Sequence, residues 1–90
     1  MSVEEAERIY KGLYRLIGNA IGSHAVKEML QLSENDFRPD DPKGSLIDMR
    51  DKIAKSFGER TANNMLLVMV RSEFRSPQSD QIIETLELDR

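Results

Sequence analysis

The sequence predicts an all-α fold: a compact four-helix bundle, with a short fifth helix or a docking tail at the C-terminus. Three observations lead there. Apolar residues recur at three- and four-residue spacing through most of the 90 positions. Capping chemistry marks where helices begin and end, with Ser2 and Glu5, Asp41-Pro42 and Gly58 the clearest cases. Leu67–Val70 taken alone reads as strand-like, but it sits among strong helix formers and no obvious partner strand stands elsewhere in the chain.

The first helix is the best marked. Val3, Ala6, Ile9, Tyr10, Leu13, Leu16 and Ile17 form one apolar stripe, with Glu4, Glu5, Arg8, Lys11 and Arg15 on the other side. Ser2 and Glu5 have the spacing of a capping box. Gly18-Asn19 offers a stop, because both residue types tolerate the left-handed conformation. A second helix is then expected over about 20–32, from Ala20, Ile21, Ala25, Val26, Met29, Leu30 and Leu32. A single helix from 3 to 32 is the alternative, and it carries Gly18 and Gly22 at about 1 kcal/mol each. Residues 33–44 hold two prolines and several acids and read as a loop, with Phe37 returning to the core.

Asp41-Pro42 opens the third helix as N-cap and first helical residue. Leu46, Met49, Ile53 and Phe57 give its stripe, and Gly58 ends it. The fourth helix starts near Glu59–Thr61 and reaches about Phe74. It contains six apolar residues in a row, Met65, Leu66, Leu67, Val68, Met69 and Val70. A helix apolar all round needs cover on every side. Met65, Leu66, Met69 and Val70 are therefore the candidate core or interface residues, and an interface role for Met69 predicts that Met69→Asp gives a soluble monomer. Ser76-Pro77 breaks the chain as an N-cap and proline pair. Residues 1–76 are thus expected to form the bundle. Residues 77–90, with Ile82, Ile83, Leu86 and Leu88, are expected to dock on it or on a partner.

Composition narrows the function. One domain of this length buries only about 60–65% of its unfolded surface. Net charge is −3, which supplies no global attraction to nucleic acid or anionic lipid. Cysteine is absent, so there is no disulfide, thiolate metal site or thiol nucleophile. Acids stand where a secretory leader would carry basic residues, and the cytoplasm is the expected location. The longest apolar run is far short of a membrane span. No repeat or low-complexity tract is visible.

No constellation in the chain carries a catalytic, cofactor or metal signature. His24 is the only histidine and the carboxylates lack ligand spacing. The acids Glu34, Asp36, Asp40 and Asp41 lack the order of a calcium loop. His24-Ala25-Val26-Lys27 resembles the His-x-x-Lys spacing of histidine phosphotransfer domains, although Glu28 follows where those domains place a small residue. Gly18-x-x-x-Gly22 reads as a turn or as a site of close helix approach.

Residues 53–67, IAKSFGERTANNMLL, resemble the helix-turn-helix of DNA-binding regulators: Ile53-Ala54, Phe57, Gly58 and Leu67 fit that pattern. Glu59 and Asn64 depart from it, at positions normally apolar. That resemblance implies contact with nucleic acid through Lys52, Lys55, Arg60, Asn63 and Asn64. The apolar character of the helix that would enter the groove counts against it. The favoured expectation is a small non-catalytic interaction or regulatory module without cofactor, whose partner is a second copy of itself.

Overall fold

The computed structural model describes residues 1–88. The chain enters α1 (Val3–Ile21) through the capping box: the Ser2 hydroxyl accepts from the Glu5 N–H, and the Glu5 carboxylate accepts from the Ser2 N–H. α2 (Ser23–Glu28) follows after one residue. A single 3-10 turn at Glu34–Asp36 leads to α3 (Pro42–Phe57), where Asp41 caps by accepting from the Gly44 N–H. α4 (Glu59–Glu73) again follows after one residue, and α5 (Gln78–Thr85) closes the fold. No strand occurs among the described residues. No helix among them is long and apolar enough to cross a membrane.

Three boundaries differ from the expectation. α1 runs straight through Gly18 and Asn19, because Ile17 is buried and Ile21 packs on the core beyond them. Tertiary burial outweighs the roughly 1 kcal/mol cost of a mid-helix glycine. The break falls instead at Gly22, with φ 89° and ψ 150°, a conformation closed to residues carrying a Cβ. The second helix is accordingly only six residues long, and it is α2 rather than α5 that is the shortest helix. Leu30 and Leu32 are buried outside any helix, on a non-helical stretch in which Gln31 has φ 54°. At the other end, Pro77 rather than Ser76 is the N-cap of α5, and the Ser76 hydroxyl donates to the Asp80 carboxylate.

The corner at Gly22 recurs at Gly58, which has φ 92° and ψ 154°. The hydrogen bonds match as well. Each glycine N–H donates to the carbonyl four residues back, Gly18 and Ala54, at 2.8 Å. Each glycine carbonyl accepts from the residue four on, Val26 and Ala62, at 3.1 Å. The core follows the same offset of 36 positions: Tyr10 and Leu46, Leu13 and Met49, Ile17 and Ile53, Val26 and Ala62, Leu30 and Leu66 are all buried. This helix–corner–helix echo is not visible as a repeat in the sequence, because it rests on burial and backbone angles more than on residue identity.

α1 and α4 run antiparallel. Arg8 pairs with Glu73 at 3.0 Å and its guanidinium stacks 4.7 Å from the Phe74 ring. One turn along, a Cβ on Gly12 would sit 2.8 Å from the Met69 sulfur, so the Met69 side chain packs into the space that the glycine leaves. A further turn along, Leu16 meets Met65. Ile82, Ile83, Leu86 and Leu88 are buried, so the C-terminal segment as far as Leu88 packs on its own bundle. Asp89 and Arg90 lie outside the described residues. The radius of gyration, 12.1 Å, matches the roughly 12 Å of one compact domain this long.

Tyr10 ties the irregular segment to the core. Its hydroxyl donates to the Ser33 carbonyl at 2.8 Å, and its ring meets Phe37 at 5.6 Å. Burial above all, then the Asp36 carboxylate and Tyr14, push the phenol up from 10.0 to about 12. The neutral phenol thus stabilises the fold fully below about pH 10, and that contribution is lost as pH rises toward about 12. Tyr10→Phe is expected to cost about 1 kcal/mol at neutral pH by removing one of the two hydrogen bonds to the Ser33 carbonyl, which keeps the one from the Asp36 N–H. It should also flatten the loss of stability between about pH 9 and about pH 11, read by urea denaturation at both.

Candidate functional site

α4 is amphipathic despite its apolar run. Leu66 and Val70 are 1% and 0% exposed, and Met69 is 9% exposed against Gly12. Met65 and Leu67 are half-buried on the edges of the core. Val68 stands out at 60% exposed. The chain's own helices thus cover the run on its inner side only: at 100° per residue, six consecutive positions encircle the helix, and Val68 falls on the outer side. Met69 faces the core, so Met69→Asp would place a charge among buried side chains and report on folding rather than on assembly.

Val68 does not stand alone. Leu16 of α1, itself 43% exposed, joins Met65, Val68, Thr61 and Asn64 of α4 around a shallow apolar depression of about 250 Å³. The antiparallel register extends this strip to Gly12 and Ala20 on α1, while helical spacing adds Asn19 and, on α4, Ser72. None of these residues is charged, in a chain that is 32% charged. Arg15 and Arg71 stand on the outer margins by the same spacing. The first ion pair across the groove is Arg8 with Glu73, at its far end. Met65 was legible as a candidate in the sequence. Leu16 and Val68 were not, because the strip emerges only when α1 is laid against α4.

The residues of the helix-turn-helix resemblance do not gather on one basic face. α3 and α4 meet at Gly58 alone, where such motifs use a turn of three or four residues. The Lys52 ammonium donates to the Gln31 carbonyl at 3.0 Å and lies 3.9 Å from Asp36, turned toward the segment before α3. Lys55 shares its depression with Asp51 and Glu59. Arg60, Asn63 and Asn64 share theirs with Glu59. The buried Oδ1 of Asn63 has no hydrogen-bond partner among the described residues.

No protein family, characterised relative or solved structure matches this chain. The site therefore rests on its own geometry. Among the described residues no cluster of three or more His, Asp or Glu side chains could hold a metal ion. The depression around Tyr10 holds Asp36, Arg38, Asp48 and Lys52, and there Arg38 pairs with Asp48 at 2.8 Å and with Asp41 at 3.5 Å. Those carboxylates hold the Arg38 guanidinium even further above its ordinary value, Asp48 most of all. These are satisfied pairs and not a group poised to move a proton.

Proposed function

We propose that the chain is a non-catalytic interaction or regulatory module of the cytoplasm, working as a homodimer in which two copies meet through the α1/α4 strip. The observation that carries this is the uncharged strip itself, with Val68 and Leu16 exposed at its centre. Exposed apolar surface of this kind marks contact sites. Its lack of charge argues for a second copy as the occupant. A two-fold pairing sets each patch against itself, and a patch without charges then meets no like charge. A partner recognised by charge would need complementary charges that the strip lacks.

The size of the face sets the expected strength. The strip spans 12 residues of α4, Thr61 to Ser72, or about 17 Å, and two packed helices are about 20 Å across. That is a face of about 340 Å² per copy, below the standard size of a specific interface and of the size of a weak contact. A weak dimer is expected, with a dissociation constant in the micromolar range set by how well the two strips fit rather than by area.

Light scattering on the full chain across a concentration series tests this. The parent is expected to rise from 10.3 kDa toward twice that mass, while Val68→Glu stays a folded monomer with unchanged helicity. A parent that remains at the monomer mass up to about 1 mM, far above any micromolar constant, would overturn the reading. So would a Val68→Glu variant that dimerises like the parent.

A further inference from the structure

A second depression, of about 440 Å³, lies between α1, α2 and the segment that follows α2. It is lined by Tyr14, Ser23, His24, Lys27, Leu32 and Ser33. Two properties separate it from the rest of the surface. First, no carboxylate lines it, whereas the depressions containing Arg38 and Lys52, Lys55, and Arg60 each contain Asp or Glu. Lys27 and His24 form no ion pair among the described residues, although the chain as a whole is acidic.

Second, each of its polar side chains has a hydrogen-bond donor left unused among the described residues. The Tyr14 and Ser23 hydroxyls, the His24 imidazole and the Lys27 ammonium have no hydrogen-bond partner among the described residues. Ser33 Oγ already accepts from the Asn35 N–H at 3.2 Å, which leaves its own O–H free to donate. The Ser33 carbonyl is engaged by Tyr10. Lysine has three donors and no acceptor, and each hydroxyl and the imidazole add at least one donor. His24 and Lys27 are three apart on α2 and so share one helix face.

We infer that this depression binds a soluble oxyanion of the phosphate class, held by Lys27 and His24 and by the hydroxyls of Tyr14, Ser23 and Ser33. Phosphate oxygens accept several hydrogen bonds at once and carry negative charge, which suits a lining where every polar side chain offers a donor and none is a carboxylate, and hydrogen bonds from charged donors are the strong ones. The volume suits a phosphorylated small molecule better than a bare ion.

The test is a titration of the full-length protein with inorganic phosphate and with pyrophosphate, followed by NMR at constant ionic strength set with chloride. The expected result is saturable shifts confined to Tyr14, Ser23, His24, Lys27 and Ser33. Affinity should fall at least tenfold in the double variant His24→Gln, Lys27→Gln. Both side chains are exposed, so the variant keeps its fold, and circular dichroism verifies that. Shifts spread evenly over the basic residues, or an unchanged affinity in the double variant, would overturn the inference. Co-sedimentation with phosphatidic acid vesicles separates the two sources of such an anion. Sedimentation abolished by the double variant would place the phosphate on a lipid and overturn the soluble assignment, and its absence supports a soluble ligand.

Discussion

Leu66→Ala is expected to lower the unfolding free energy by about 3 kcal/mol, while Val68→Ala, two residues away in the same apolar run, changes it by less than about 0.5 kcal/mol. Leu66 is 1% exposed in the centre of the core, and its removal leaves a cavity that close-packed neighbours cannot fill. Val68 loses little on truncation because most of it already faces water, and alanine's higher helix propensity offsets the remainder. The two hydrophobes are indistinguishable by composition, so the pair isolates burial from character. Urea denaturation below the dimerisation range, with the slope held constant, is the measurement. Similar losses at both positions would mean that α4 is covered all round, and the strip with its dimer would fall with that result.

Gly58→Ala is expected to destabilise by about 2 kcal/mol, and Gly18→Ala to stabilise by up to about 1 kcal/mol. In neither case does the new methyl group meet an atom within 4 Å beyond its own chain neighbours and local helix backbone. Packing is therefore silent and the backbone alone decides the sign. At Gly58, φ is 92°, and a Cβ would clash with its own peptide neighbours. Gly18 lies inside α1, where alanine removes conformational freedom from the unfolded chain at no cost to the folded one. Thermal unfolding of the two variants beside the parent reads both. A Gly58→Ala variant as stable as the parent would mean that the corner between α3 and α4 has another geometry.

These contrasts show which parts of the molecule a reader of the sequence can reach. The start of α1, and both ends of α3, follow from local chemistry: Ser2 with Glu5, Asp41 with Pro42, and Gly58. Such signals act over one turn and need no knowledge of the rest. Gly18 misleads because whether a glycine ends a helix depends on what is buried beyond it, and Ile17 and Ile21 reward continuation. Leu30 and Leu32 mislead for a related reason: burial requires a direction toward the core and not a helix. The sites are less legible still. Leu16 is 52 positions from Val68, and Tyr14 is 19 from Ser33. Only the register of α1 against α4, and the return of the chain after α2, make neighbours of them.

The matched corners at Gly22 and Gly58 also determine where the chain can change length. Each corner sits at a fixed distance from the buried positions on either side of it. Deleting one residue between Tyr10 and Ile17, or between Leu46 and Ile53, rotates every buried side chain on one side of the deletion by about 100° relative to its corner. The outer helix turns would be driven out of the core together. Between the two units, Pro39 and Asp40 are exposed and lie after the Phe37 contact with Tyr10 and before the Asp41 cap. An insertion in that exposed turn costs the Asp41 N–H bond to the Arg38 carbonyl and little more, because loop closure costs rise only slowly with length. Between the two units, variation in length is thus confined to that turn, and the helices on either side of it are held to their present count.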